Sequence, residues 1–446
     1  MLAVDRFFGV GSLVLKEQKL MISTWLLAQR LRRSWRKDSF EQLQTRKLRA
    51  ILHHAYRNVP FYHRKFEEAG IKPGDVRSLQ DLSKIPTTTK SEIQASPVED
   101  VIARGVNIED CTRDITSGSS GTPLVTYMDK NAIDMYSAVW LAVFQENGVH
   151  LWDKRAIIGE PRNFPKRRSL VEYFGVMRRR HISIFSDVHT QLNVLRNFEP
   201  DIIEGYPSSL VILADAYGHG KDMLNPRLIF TLAEVLDGAS REFISSTFKA
   251  ELLDYYGSSE FSLLAWECRN HKGYHINADC SIVEFMKNGD PAGEGEDGEI
   301  TCTTLVNYAM PLIRYRQGDV GVSVKGKCTC GRNLPMMRVV KGRKDDFLTA
   351  VDGRIISPTI FFPYPFNDFS KIRQFRVVQE KRDRLVIQLV LKDGSLANEL
   401  LQDAVKEIKR VFGDAMQVEF EFHNELKRDS SGKLQKIVSL VPVSFV

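Results

Sequence analysis

Between about residues 100 and 320, short β-branched runs alternate with helix-period segments. RAIIGE (before 161), DIIEGYP (201–207), SLVILADAYG (209–218), RLIFTLAEV (227–235) and REFISSTFKAELLDYYG (241–257) mark this alternation. Such a chain can bury both kinds of face when its strands lie side by side in a largely parallel sheet and its helices cover that sheet. The predicted fold class is therefore α/β. Around 274–325 the texture changes. HINADCSIVEFM, GEITCTTLV and DVGVSVKG are strand-like runs separated by Gly, Asp and Pro turns, which predicts a more antiparallel β portion.

The flanks are of other kinds. FEQLQTRKLRAILHHAYRNVPFY sets Phe40, Leu43, Leu48, Ile51, Leu52, Ala55 and Tyr56 near helical spacing, and Pro60 is expected to end that helix. His53 and His54 fall inside it and read as surface residues. LSKIPTTTKSEIQ predicts a break at Pro86 and a Thr/Lys cap before a further helix. Near 344 a different unit begins. IRQFRVVQEKRDRLVIQLVLKDG reads as a hairpin turning at Arg382–Asp383. Leu396, Leu400, Leu401, Val405, Ile408, Val411 and Phe412 share one helical face, and Val418, Phe420 and Phe422 one strand face. The expected division is a large unit over 1–343 and a small α+β unit, ββαβ in order, over 344–446.

A net charge of +6, from 62 basic and 56 acidic residues, is too mild to argue for nucleic acid and suits small anionic ligands. No run reaches the roughly 18 apolar residues of a spanning helix, and FFGVGSLVL (Phe7–Leu15) is too short and lacks a clear cleavage site. The expected location is the cytoplasm. WLLAQRLRRSWRK (Trp25–Lys37) mixes aromatics, leucines and a basic cluster, as surface-lying membrane helices do. A solvated helix packed on the domain has the same composition, so weak peripheral membrane contact stays open beside it.

CTRDITSGSSGTP has the Gly, Ser and Thr content of loops that fold backbone N–H groups around phosphate oxygens. It is not a Walker A loop, because the G-x-x-x-x-G-K-[ST] order is absent. The motifs downstream of it give it meaning. TSGSSGTP, TLAEVLDG (Thr231–Gly238), YYGSSE (Tyr255–Glu260), RYRQGDVG (Arg314–Gly321), KGRKDDFL (Lys341–Leu348) and SSGKLQK (Ser430–Lys436) occur in that order. Together with AYRNVPFYHRKFEEAG and SLQDLSKIPTTTKSEI they resemble the adenylate-forming, acyl-activating enzymes. The resemblance is to the phenylacetate–CoA ligase branch and its CapK-type relatives, which are linked to capsular polysaccharide synthesis.

The resemblance implies an adenylation domain over 1–343, binding ATP and acid, and a mobile lid domain over 344–446. A carboxylate would join the α-phosphate of ATP, releasing pyrophosphate and leaving an acyl-adenylate, which then passes to an acceptor. Thr116, Ser117, Gly118, Ser119, Ser120, Gly121 and Thr122 would hold the β- and γ-phosphates. Glu260 would bind the Mg²⁺ that bridges phosphate oxygens. Tyr256, in the run Tyr256–Gly257–Ser258–Ser259, would lay its ring against adenine, and the backbone near Ala233 and Glu234 would line the adenine edge. Asp319 would accept from the ribose hydroxyls, and Arg343 would reach phosphates or ribose. Lys433 would swing in to bridge the attacking carboxylate and the α-phosphate. Asp345 falls at the family's hinge, and the acid pocket is expected near Tyr206 and Ser208. Composition alone would also allow a surface glutamate at 260, a turn aspartate at 319 and a solvated lysine at 433. The resemblance also implies a possible homodimer.

Six cysteines in 446 residues are not a disulfide framework. Cys268 and His271 make C-x-x-H; Cys328 and Cys330 make C-x-C about sixty residues on, with His275 in reserve. This pair-plus-pair pattern suits tetrahedral zinc, and free buried cysteines are the alternative. LTAVDGRIISP (Leu348–Pro358) departs from the glycine-rich segment that comes after the hinge in CoA ligases of the branch. The acceptor expected is CoA, with an amine as the alternative and a non-catalytic nucleotide-binding relative as the rival class.

Overall fold

The computed structural model describes residues 21–37, 40–115, 124–165, 172, 174–217, 224–343, 348–356, 371–392, 398–428 and 434–441. A first pair of strands, β1 (Thr112–Ile115) and β2 (Val125–Met128), is antiparallel, with Ile115 opposite Val125. The Gly/Ser/Thr-rich bend thus lies in sequence between two strands. The helix Lys130–Glu146 begins only after them, at the Asp129 cap.

The large sheet has twelve strands: β3 (Arg155–Gly159), β4 (Arg179–Ser183), β5 (Ile202–Gly205), β6 (Leu228–Leu232), β7 (Glu251–Ser258), β8 (Ser262–Glu267), β9 (Tyr274–Ile276), β10 (Ser281–Lys287), β11 (Asp290–Pro291), β12 (Asp297–Thr304), β13 (Tyr315–Val324) and β14 (Met336–Arg343). Their order is β11-β10-β12-β13-β14-β9-β8-β7-β6-β5-β3-β4. From β4 to β7 every pairing is parallel, and from β7 to β11 every pairing is antiparallel. The change comes at β8, about a dozen residues before the change of sequence texture near 274. β5 and β6 are buried on both faces, as central parallel strands are, and the one charge in them, Glu204 of β5, is paired with Arg155 at 2.6 Å.

Helices cover both faces of the parallel half. On one side Phe40–Asn58 and Lys130–Glu146 contribute Leu48, Ile51, Val139 and Phe144 to the larger core, around Phe230, Tyr255 and Trp266. On the other, Val188–Phe198, Pro207–Tyr217 and Gly238–Phe248 pack Leu195, Leu210, Ile244 and Phe248 against Ile158, Ile203 and Ile229. The two long helices that begin at Lys130 and Gly238 start at aspartate caps, Asp129 onto Ala132 N–H and Asp237 onto Ser240 N–H, both at 2.8 Å. Pro60 does more than stop a helix: Phe40–Asn58 ends, and Pro60 opens the next helix, Pro60–Glu68. A proline at the first helical position lacks an N–H that would have had no partner there.

The C-terminal strands are β15 (Leu348–Thr349), β16 (Ile355–Ile356), β17 (Ile372–Lys381), β18 (Arg384–Leu391), β19 (Gln417–Phe422) and β20 (Ile437–Ser439). β17 and β18 form the hairpin, with Lys381 opposite Arg384. The sheet order is β19-β18-β17-β20, so β20 adds a fourth strand to the expected three. Ala404, Ile408 and Phe412 of the helix Asn398–Phe412 seal it, with Phe375, Val377 and Ile387 below. Phe422, at the end of edge strand β19, is exposed rather than packed.

Candidate functional site

The parallel strands β5, β6 and β7 all point their C-terminal ends at one region, the usual ligand end of an open α/β sheet. At the end of β7 the Tyr256 hydroxyl donates a 2.7 Å hydrogen bond to Asp319 Oδ2. In sheet order β7 and β13 are four strand spacings apart, or about 19 Å if the sheet were flat. The sheet therefore curls over itself and brings its antiparallel half above the parallel strand ends. Burial, then the neighbouring Asp319 carboxylate, push the Tyr256 phenol well above its usual range, so it remains a donor. The strand bulges between Tyr256 and Gly257. A Cβ on Gly257 would meet Ser262 O at 2.3 Å, so no larger residue fits this close approach.

Ser258 Oγ and Gln317 Nε2 are buried without a hydrogen-bond partner among the described residues. Ser259 comes next, in the turn, and Glu260 Oε1 accepts from the Tyr315 hydroxyl at 3.1 Å. The β13–β14 register places Arg343 opposite Asp319. Tyr256, Ser258, Glu260, Asp319 and the backbone of Arg343 thus gather from three separate motifs.

Ala233, at the end of β6, has φ of 69°, a conformation costly for a residue with a Cβ. It turns Glu234 across to the neighbouring, earlier helix. The Glu234 carboxylate accepts Ser208 N–H at 2.9 Å and Ser208 Oγ at 3.0 Å, capping Pro207–Tyr217. It also accepts the Leu434 N–H at 2.9 Å. Nearby, Lys436 Nζ donates to Asp237 Oδ2 at 3.2 Å, and Arg428 Nη1 to Ser208 Oγ at 3.2 Å. Asp237 is buried, which raises a carboxyl pKa, yet Lys436 and the Ser240 donors hold it below the usual range. Lys392 and Arg373 add ion pairs to Asp215 on the same side. The C-terminal unit therefore docks on the segment Glu234–Asp237.

Thr116, Ser117, Gly118, Ser119, Ser120, Gly121, Thr122, Asp345 and Lys433 lie outside the described residues, as does the side chain of Arg343. Leu434, next in the chain to Lys433, sits against TLAEVLDG through its bond to Glu234. Tyr206 is 8% exposed and belongs to the second core cluster with Ile158 and Leu210. Ser208 spends its hydroxyl on Glu234 and Arg428. Both side chains are thus engaged in packing or docking.

The cysteine pairs do meet. Cys268 Sγ lies 3.7 Å from Cys328 Sγ, and Cys330 Sγ lies 3.3 Å from His275 Nε2. The four ligand atoms lie within 4.8 Å of one another. A tetrahedral zinc with bonds of about 2.3 Å to sulfur sets neighbouring thiolates about 3.8 Å apart, so the donor set fits. The histidine is a correction to the sequence reading: His275 joins the thiols, not His271. A turn at Arg269–Asn270 sends His271 outward, at φ 48°, toward Glu267 and Glu251. β9 instead brings His275 back beneath Trp266, ring to ring at 5.1 Å. Burial and Arg332 push the His275 imidazole down to about 4, so it is neutral, as a metal ligand must be. Burial pushes the Cys268 thiol up to about 12.

Comparison with known proteins decides the family. The chain is 31% identical over 380 residues to the phenylacetate–coenzyme A ligase of Escherichia coli (strain K12), covering 80% of this chain and 84% of that one. The chain belongs to the phenylacetate–CoA ligase family. It is an AMP-forming acid ligase. The ligase is also 24% identical over 414 residues to protein CapK of Staphylococcus aureus, covering 89% and 88% of the two chains. Residues 348–439 match the family model of the CapK C-terminal domain. Among solved structures, 2-hydroxyisobutyryl-CoA ligase in the postadenylation state gives a TM-score of 0.72 at 20% identity, covering 89% of this chain and 88% of that one. The same enzyme in the thioesterification state gives 0.58 at 20% identity, covering 90% and 89%. These neighbours share the adenylate-forming fold of the ligase.

Sequence reasoning missed several members of the site. Tyr315 stands within RYRQGDVG, but only the fold brings its hydroxyl to Glu260. Lys436 and Asp237 stand within the motifs SSGKLQK and TLAEVLDG, but their pairing depends on how the tail docks. Thr88 stands within SLQDLSKIPTTTKSEI, but only the fold shows that its backbone pairs with Arg314 and Arg316, at 2.8 and 2.9 Å, and anchors β13 from the N-terminal side.

Proposed function

We propose that this ligase activates a carboxylic acid with ATP and transfers the acyl group to coenzyme A, forming a thioester. The carboxylate attacks the α-phosphorus, the α–β phosphoanhydride bond breaks, and pyrophosphate leaves. The CoA thiol then attacks the acyl carbon, losing its proton, and AMP departs. The relatives' own activity, phenylacetate–CoA ligation, makes arylacetic acids the first substrates to offer.

The observation that carries this reading is the meeting of Tyr256, Asp319 and Arg343 beside a tail docked on Glu234. Asp319 would take the ribose hydroxyls, Tyr256 the adenine face, and Glu260 the Mg²⁺, which neutralises phosphate charge when bound. The buried donors on Ser258 and Gln317 supply polar groups that a nucleotide or acyl-adenylate can engage. With the tail docked on Glu234, Lys433 is one residue from a fixed point in the site. The higher TM-score to a postadenylation state agrees with that arrangement. The residues 1–343 would form the adenylation domain and 344–446 the lid, with Asp345 as the hinge about which the lid turns for thioester formation.

Cys268, His275, Cys328 and Cys330 would hold a structural zinc that pins β8 and β9 to the 328–330 loop. All six cysteines are free of disulfides, which agrees with the cytoplasm, where ATP is supplied.

One observation favours a second acceptor: the C-terminal residues match the CapK domain, and LTAVDGRIISP replaces the usual glycine-rich segment. The second reading is transfer to an amine, such as that of an amino sugar, giving an amide in a polysaccharide-linked pathway. Incubation with ATP, Mg²⁺ and a panel of arylacetic acids, with CoA or an amine offered in parallel, separates the two. Acid-dependent thioester supports the first reading. Amide without thioester overturns it in favour of the second.

A further inference from the structure

The ligase carries its entire charge surplus at one end. Residues 1–37 hold eight basic and two acidic side chains, a surplus of six. The whole chain has 62 basic and 56 acidic residues, so the remaining 409 are balanced at 54 each. A balanced enzyme with a concentrated basic arm points to a separate partner for that arm.

The structure shows how the arm is mounted. A helix over 21–34 is fixed along its second half. Ala28, Leu31 and Trp35 are buried, and Trp35 Nε1 donates to Asp279 at 2.8 Å. Arg32 pairs with the buried Glu146 at 2.6 Å, and Arg36 and Arg332 join the same carboxylate. The first half is left uncovered: Ile22, Trp25 and Leu26 are 60%, 45% and 47% exposed. Arg30 and Arg33 are exposed too. At 100° per residue these five side chains share one arc of roughly 140°. The arginines come after Trp25 by roughly 8 and 12 Å along the axis. Upstream in sequence stand the apolar run Phe7–Leu15 and two more lysines, Lys16 and Lys19.

We propose that this N-terminal arm docks the ligase on an anionic lipid bilayer. Ile22, Trp25 and Leu26 enter the boundary between headgroups and acyl chains, where an indole is well placed, while Arg30 and Arg33 meet lipid phosphates and carboxylates. A second copy of the chain is the poorer occupant, because two arms of like charge repel. A nucleic acid would use the charge but not the exposed apolar tip. No helix among the described residues is long and apolar enough to cross a membrane, and the proposed contact is a peripheral one. This inference stands on the arm alone and is independent of the acceptor chemistry.

Vesicle co-sedimentation of the full chain tests it. The lipids are phosphatidylcholine alone and phosphatidylcholine with about one-third phosphatidylserine, where each basic residue is worth about fivefold in binding. Wild type should pellet with the anionic vesicles, weakly with the neutral ones, and less as salt rises. Ile22→Glu/Trp25→Glu/Leu26→Glu and, separately, Arg30→Glu/Arg33→Glu should each lower affinity at least tenfold, with the thermal midpoint unchanged. Failure of wild type to pellet with anionic vesicles would overturn the proposal. So would undiminished binding of the triple variant, which would mark charge attraction alone. Lipid-free self-association lost in that variant would assign the tip to a second copy instead.

Discussion

Glu234 and Leu434, two hundred residues apart, are joined by a 2.9 Å hydrogen bond from the Leu434 N–H to the Glu234 carboxylate. The same carboxylate caps the helix that starts at Pro207 through Ser208. One side chain therefore ties the start of that helix to the C-terminal tail.

Glu234→Ala removes the Leu434 bond and both bonds from Ser208. A hydrogen bond to a charged group is worth about 1.5–3 kcal/mol, so closure should weaken by about tenfold or more. The first half-reaction should slow by that factor. Hydrogen–deuterium exchange at Leu434 should quicken, and unchanged protection there would contradict the docking role.

Tyr256→Phe keeps the ring and deletes the donor to Asp319. If Tyr256 supports nucleotide binding by holding that carboxylate, KM for ATP should rise about three- to tenfold, with folding intact. Asp319→Ala should raise it further. A pair of variants with wild-type KM would leave the bond purely structural.

Elemental analysis of purified protein should find one zinc per chain. Cys330→Ser and His275→Ala should each lose it and lower the thermal midpoint, while His271→Ala should retain it. The contrast between the two histidines reads directly on the geometry, since only His275 lies among the thiols.

Asp254 offers a pH test. It accepts from Thr231 at 2.5 Å and Tyr274 at 2.6 Å, and burial pushes its carboxyl up to about 7. An unfolded aspartate titrates near 3.9. Between those values the folded state holds a proton that the unfolded state has released. Stability from this group is therefore full below about pH 4 and falls as pH rises to about 7, by at most about 1.4 kcal/mol per pH unit. Asp254→Asn should flatten that part of the profile in thermal unfolding from pH 4 to 8. An unaltered slope would contradict the shift.

Much of the fold was legible because it rests on local period. The alternation at 100–320 places the parallel strands, and the Gly/Asp/Pro punctuation after 274 marks the antiparallel half. The hairpin at Arg382–Asp383 was visible from the two strand-like runs that flank the turn. What the sequence could not show was long-range: the curl of the sheet that sets Tyr256 on Asp319, and the tail reaching Glu234. His271 matched a spacing pattern, yet only the turn at Arg269–Asn270 decides which histidine returns to the thiols. Ser208 was expected near the acid pocket; its hydroxyl bonds to Glu234 and Arg428 are long-range ties of the same kind, which the sequence could not show.

The central claim is that the lysine beside Leu434 completes a nucleotide site built by Tyr256, Glu260 and Asp319. The direct measurement is exchange of labelled pyrophosphate into ATP, driven by a panel of arylacetic acids, in wild type and Lys433→Ala. The account predicts acid-dependent exchange in wild type and a loss of about a hundredfold or more in the variant, with ATP binding kept. Absence of exchange with every acid offered, or equal exchange in the variant, would contradict it.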